Sequence, residues 1–133
     1  MYRDLLIVDQ DPQVEKMVSM VLRTSYNEMF RLSGIATDFE AAKRMIVLGK
    51  PSILLLGDQL PGCPLNVLVE QNFIQLADHR IALARKKRYA FDCFQRSIDH
   101  YLLKPIKASD LDQALSTYRP QEVSFLAHCN FPF

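Results

Sequence analysis

Residues Ile53–Gly62 read I-L-L-L-G-D-Q-L-P-G, and this stretch decides the fold. Its run of four apolar residues indicates a strand that is buried on both faces, as in a parallel sheet. The Pro61-Gly62 pair marks a turn soon after the strand ends. Gly57 and Asp58 lie between the strand and this turn, so the chemistry of this pair is the first question about function.

The strand signal recurs along the chain and alternates with helix signals. Amphipathic stretches with apolar residues at i, i+3 and i+4 follow the apolar runs. The predicted strands are Leu5–Val8, Phe30–Ala36, Ile53–Leu56, Ile81–Ala84 and Tyr101–Leu103. Five alternations of strand and helix predict β-α-β crossovers and helices on both faces of the sheet. The expected fold class is α/β: a (βα)5 doubly wound, five-stranded parallel sheet in a three-layer α/β/α sandwich.

Capping residues predict where the helices begin. Asp11 followed by Pro12 suits an N-cap with proline at the first helical position. The spacing of Thr37–Glu40 is that of a capping box, and Ser109–Asp112 marks the start of a fifth helix in the same way. A third helix is expected to contain the apolar residues of Val67–Ile74.

Length and composition bound the class of protein. The chain has 133 residues, 49% of them hydrophobic, which suits one domain with a substantial core. We expect this domain at residues 1–119, with a C-terminal tail or the start of a linker at residues 120–133. A formal net charge of +1 argues against direct nucleic-acid binding.

The chain carries no signal for a membrane or an oxidising compartment. No apolar run approaches the roughly 18 residues that a membrane span requires, and the acidic N-terminus does not suit a signal peptide. Cys63, Cys93 and Cys129 are odd in number and widely spaced, so neither a disulfide framework nor a zinc site is indicated. These observations predict a cytoplasmic protein.

Functional residues are expected where the strands end, because sites in open parallel sheets form at the carboxyl ends of the strands. The segments there are Asp9-Gln10-Asp11, Gly57-Asp58-Gln59, Ala84-Arg85-Lys86 and Lys104-Pro105.

With these motifs the chain resembles the receiver domain of bacterial two-component response regulators, over about residues 3–118. The residues that carry the resemblance are LLIVDQDP (5–12), PSILLLGDQLPG (51–62) and DHYLLKPIKASDLDQAL (99–115). The resemblance implies a flavodoxin-like, CheY-like fold and a place in a phosphorelay. It also implies an acidic pair and a third-strand aspartate that bind magnesium, the aspartate being the phosphoacceptor. A serine or threonine after the fourth strand and a lysine after the fifth then contact the phosphoryl group.

Three of these positions carry residues that cannot do the family's chemistry. Gln10 stands at the second acid, Gly57 at the phosphoacceptor and Ala84 at the hydroxyl residue. Asp9, Tyr101 and Lys104 match the first acid, the switch aromatic and the lysine, and we expect Asp9 and Lys104 to form an ion pair.

Two further features leave alternatives open. Asp58 could be a displaced phosphoacceptor, although alternation along a strand predicts that it points away from the site, as a loop acid capping the next turn. The basic run Arg85, Lys86, Lys87 and Arg88 is either a solvated loop or a patch for an anion or an acidic partner. Its charge opposes a magnesium site, so we expect no cofactor, with magnesium binding weak or absent.

The sequence therefore predicts a degenerate receiver, or pseudo-receiver, that is not an enzyme and acts by phosphorylation-independent protein–protein interaction. Its expected partner is another protein or a second copy, bound through the face of the fourth helix, fifth strand and fifth helix, with no membrane and no direct nucleic-acid contact. One alternative is a functioning phospho-receiver that uses Asp58 with magnesium. Others are the N-terminal regulatory fragment of a DNA-binding response regulator and an anion- or small-ligand-binding module.

Overall fold

A computed structural model describes residues 2–26 and 28–119, in which five strands and five α-helices alternate. The strands are β1 (Arg3–Val8), β2 (Phe30–Ala36), β3 (Ile53–Gly57), β4 (His79–Ala84) and β5 (His100–Leu103). The helices are α1 (Pro12–Ser25), α2 (Phe39–Gly49), α3 (Leu65–Leu68), α4 (Ala90–Gln95) and α5 (Ala108–Ser116), with 3₁₀ turns at Asn72–Leu76 and Lys87–Tyr89. All strand pairs are parallel and the order is β2-β1-β3-β4-β5. The predicted doubly wound α/β fold is confirmed.

The core has two halves, one on each face of the sheet. Alternate residues of β1 show the division: Leu5 packs with α1 and α5, whereas Leu6 packs with α2, α3 and α4. The central strand β3 is buried at every residue because helices cover both faces. Each fully buried leucine or isoleucine contributes roughly 1.5–3 kcal/mol, so these runs dominate the stability of the sheet.

Helix starts agree with the sequence in one case and differ in another. Asp11 caps α1 as predicted, since its Oδ1 accepts a hydrogen bond from the backbone N–H of Gln13 at 3.0 Å. The predicted capping box at Thr37 is wrong. Asp38 is the N-cap of α2, accepting from the backbone N–H of Ala41 at 2.8 Å, because its carboxylate satisfies the free N–H groups and favours the positive end of the helix dipole.

Two other helix predictions also need correction. The third helix is split, because extended backbone at Gln71 separates α3 from the 3₁₀ turn at Asn72–Leu76. The fifth helix begins at Ala108, after Lys107, whose side chain makes no capping bond, so Ser109 is not its N-cap. The buried face of this helix, with Leu111, is as predicted.

Among the described helices, none is long and apolar enough to cross a lipid bilayer. The predicted tail at residues 120–133 lies outside the described residues.

Candidate functional site

The carboxyl ends of β1, β3 and β5 bring a cluster of charges together around Lys104. Its Nζ lies 2.8 Å from Asp9 Oδ2, 2.8 Å from Asp58 Oδ1 and 3.2 Å from Asp11 Oδ2. It also donates to Gln59 Oε1 at 3.2 Å. The side chains of Lys104 and Asp9 are 6% and 0% exposed. The predicted Asp9–Lys104 ion pair is confirmed, and Gln59 joins it as a partner that the sequence did not single out.

The expectation that Asp58 points away from the site is wrong. Its side chain is only 7% exposed and lies between two cations. Oδ1 faces Lys104, while Oδ2 accepts from the backbone N–H of Arg85 at 2.9 Å and from its Nε at 3.0 Å. The physical reason is that Gly57 is the last residue of β3. Past the end of the hydrogen-bonded ladder, the alternation of side chains no longer holds.

Gly57 itself is not an empty position. A Cβ added to it would lie 1.9 Å from Asp9 Oδ2 and 2.1 Å from Asp9 Cγ. The Asp9 carboxylate therefore occupies the space that a side chain at position 57 would enter. Asp9 is held there by Lys104 and by the backbone N–H of Asp11, which donates to its Oδ1 at 3.2 Å. Only glycine, which has no Cβ, permits the Asp9 carboxylate to lie this close to the backbone at position 57.

Burial and the neighbouring charges act against each other on the pKa values of the cluster. Burial raises the pKa of Asp9, and the Lys104 ammonium opposes that shift. Burial also acts to raise the pKa of Asp58, but Lys104 and Arg85 outweigh it and the pKa is lowered. Burial acts to lower the pKa of Lys104, whereas Asp58 and Asp9 raise it above its usual value. Lys104 is thus firmly protonated at neutral pH and Asp58 firmly ionised.

The residues do not fit the magnesium ion that the resemblance implies. Magnesium requires octahedral oxygen coordination at about 2.0–2.1 Å. Here the carboxylates of Asp9, Asp11 and Asp58 all face the Lys104 ammonium, which holds the position of a cation among them. Within residues 2–26 and 28–119, no group of His, Cys, Asp or Glu side chains is arranged to hold a metal ion. Gln10, at the position of the second acid, is exposed.

The positions of the hydroxyl residue and of the switch aromatic lie on the neighbouring strands β4 and β5. Ala84 is fully buried at the end of β4 and has no hydroxyl to offer. Tyr101 on β5 is partly buried, and its hydroxyl donates to the backbone carbonyl of Lys86. Burial raises the pKa of this phenol to about 12, so the hydroxyl remains a donor. Tyr101 therefore ties the edge strand to the loop after β4.

The basic run Arg85–Arg88 does not act as a single group. Arg85 turns toward Asp58, whereas Arg88 donates to the Tyr89 hydroxyl at 2.8 Å and stacks over its ring at 4.8 Å. Arg85, Lys86 and Arg88 line a cleft of about 180 Å³, and Lys87 is exposed outside it.

Apolar side chains are exposed beside this loop. On α4, Phe91 is 70% and Phe94 57% exposed, whereas Cys93 on the opposite side of the helix is buried. Leu103, at the end of the edge strand β5, is 39% exposed. Because α4 is only six residues long, its inward side holds one residue and leaves both phenylalanines outside.

Comparison with known proteins shows which class this architecture belongs to. No protein-family model matches the chain, and no curated protein matches its sequence. Among solved structures, the response regulatory domain of protein mrkE from Klebsiella pneumoniae is 19% identical, with a TM-score of 0.75 over 86% of this chain and 93% of that one. The REC domain of AraT, a response regulator from Geobacillus stearothermophilus, is 21% identical, with a TM-score of 0.73 over 87% and 92%.

A DNA-binding response regulator of the LuxR family from Staphylococcus aureus is 20% identical, with a TM-score of 0.69 over 86% of this chain and 96% of that one. The shared class is the CheY-like, flavodoxin-type α/β fold. More particularly, this chain has the fold of a response regulator receiver domain, so the resemblance found in the sequence is confirmed at the level of the fold.

Proposed function

We propose that this chain is a receiver-like signalling domain that works without phosphoryl transfer, by binding a protein partner in its unmodified form. The observation that supports this most directly is the Asp9 carboxylate, which fills the space at Gly57 where a phosphoacceptor would stand. Lys104 pairs with Asp9 and Asp58 from within the chain.

The site does not offer the groups that phosphoryl transfer requires. The reaction requires a carboxylate oxygen in line with phosphorus and a metal ion that neutralises the developing charge. Asp58 is the nearest substitute for a nucleophile, but Lys104 engages one of its oxygens and Arg85 the other. The ammonium also takes the place of a metal ion, so neither requirement is met.

The surface that supports partner binding is the exposed apolar patch of Phe91, Phe94 and Leu103. These side chains lie on α4 and on the edge strand β5, which pack against each other, and exposed apolar patches mark interaction sites in soluble domains. The bond from Tyr101 to the Lys86 carbonyl holds β5 and the adjoining loop in one arrangement. We propose that this prearranged face binds another protein or a second copy of the chain.

The chemical half of the proposal is tested with acetyl phosphate and Mg²⁺, read by intact mass. We expect no added phosphoryl mass, either in the unmodified chain or in Asp58→Asn. An adduct that forms on the unmodified chain and disappears in Asp58→Asn would overturn the proposal in favour of a displaced phosphoacceptor.

The interaction half is tested by sedimentation over a range of concentrations. Phe91→Asp is the test variant, and Leu48→Asp is its matched control, because Leu48 on α2 is 76% exposed and lies outside the patch. Self-association that Phe91→Asp abolishes and Leu48→Asp preserves supports the second copy as partner. Self-association that survives Phe91→Asp rules out this face as the homodimer interface, and a chain that stays monomeric throughout excludes the homodimer.

A further inference from the structure

A cavity of about 560 Å³ opens beside the charge cluster, between α1 and the loop that joins β5 to α5. One wall is apolar and consists chiefly of Val14, Met17, Met20 and Ile106. Methionine side chains adapt to ligands of different shape, which makes such a wall suited to an apolar molecule. The volume lies within the range of about 300–1,000 Å³ that is usual for small-molecule sites.

The charged side chains that line the cavity differ in whether they are already paired with another charged residue. Lys104 and Asp11 both line it, but they face each other at 3.2 Å. Lys16 also lines it and forms no ion pair with any described residue. Arg85 uses its Nε for Asp58, and its side chain is 60% exposed. The two cations with remaining hydrogen-bonding capacity are therefore Lys16 and Arg85, both next to an apolar wall.

We propose that this cavity binds a small amphipathic monoanion, that is, an apolar chain or ring that carries one carboxylate. The apolar body would lie against Met17 and Met20, and the carboxylate would accept charge-assisted hydrogen bonds from Arg85 or Lys16. An inorganic anion would leave the apolar wall in water, and an uncharged molecule would form no charge-assisted hydrogen bond with Lys16 or Arg85. The site is separate from the phenylalanine patch and adds a ligand to the function proposed above.

The test uses the full chain with methyl-labelled methionine, titrated with octanoate and observed by NMR. We expect octanoate to shift the methyl signals of Met17 and Met20. Met29 serves as the internal control, because it is 52% exposed and its carbonyl accepts from Arg3 at the start of β1, the opposite end of the sheet. Equal shifts at Met29, or none at Met17 and Met20, would overturn the proposal.

Two comparisons separate the apolar and the charged parts of the site. Octanamide, which has the same chain without the charge, should bind at least about tenfold more weakly, because it cannot form the charge-assisted hydrogen bond that the carboxylate accepts. Met20→Glu should remove octanoate binding and Met29→Glu should preserve it; both positions are exposed, so neither change disturbs the core. Equal affinity for octanoate and octanamide, or loss of binding in both variants, would contradict the assignment.

Discussion

Replacing Gly57 by alanine tests the arrangement of the site most sharply. The new Cβ would lie 1.9 Å from Asp9 Oδ2 and 2.6 Å from Asp9 Cβ, far inside contact distance. The Asp9 side chain is completely buried, so it cannot move aside without leaving Lys104 at 2.8 Å. Overpacking costs about 1–3 kcal/mol and a lost charge-assisted hydrogen bond roughly 1.5–3 kcal/mol, so we expect Gly57→Ala to cost about 3–5 kcal/mol of unfolding free energy.

Urea unfolding followed by circular dichroism measures this loss, and Gly49→Ala is the matched control. A Cβ at Gly49, the last residue of α2, would meet nothing within 4 Å. Alanine is the better helix former, so we expect this control to be as stable as the unmodified chain or up to about 1 kcal/mol more stable.

A second substitution shows whether Asp9 is the cause. Asp9→Gly removes the three Asp9 atoms that lie nearest to a Cβ at position 57, including the Cβ at 2.6 Å. We expect Asp9→Gly with Gly57→Ala to be no less stable than Asp9→Gly alone, so the two changes are not additive. If Gly57→Ala unfolds at the same urea concentration as the unmodified chain, the carboxylate does not fill that space and the reasoning is refuted.

Three further predictions concern charge and capping. Lys104→Met leaves three carboxylates without their shared cation, so it should lower the free energy of unfolding by about 3–5 kcal/mol at neutral pH. In acid the carboxylates take up protons, so part of this loss should be recovered. Urea unfolding at both pH values measures the loss, and a loss that does not depend on pH would contradict the prediction. The pKa of Asp58 is lowered from its usual 3.8 in the folded chain. The ionised carboxylate therefore contributes fully to the stability of the fold above pH 3.8, and this contribution is lost as the pH falls through the lower folded pKa. We expect the acid limb of the stability–pH curve to be flatter in Asp58→Asn than in the unmodified chain. Asp38→Ala should lower the free energy of unfolding by about 1 kcal/mol and Thr37→Ala should leave it nearly unchanged, because Asp38 makes the capping hydrogen bond. Equal losses in urea unfolding would contradict the assignment of Asp38 as the N-cap.

The fold was predictable because its strongest signal is also its main source of stability. A run such as Ile53–Leu56 is apolar at every position because helices cover both faces of the sheet. Weaker local signals failed where neighbouring residues compete for one role. Thr37 and Asp38 both suit an N-cap, and only the backbone geometry at the start of α2 decides between them.

The members of the site could be predicted, but their geometry could not. Asp9, Asp58 and Lys104 follow strands whose carboxyl ends meet, which sequence order alone implies. The direction of Asp58 depends on backbone angles just past the end of β3, where strand alternation gives no guidance. The sequence shows a glycine at position 57 but not that a carboxylate from β1 fills the space beside it.

The contact between Asp9 and Gly57 also couples the effects of substitutions at the two positions. An aspartate introduced at position 57 of this chain meets the Asp9 side chain at once, so it is disfavoured unless that side chain moves or position 9 changes too. A mutation at position 9 alone deprives Lys104 of a partner at 2.8 Å. Either change made alone therefore gives a destabilised protein. We therefore expect positions 9 and 57 of this chain to be coupled, so that a change at either one alters the effect of a change at the other.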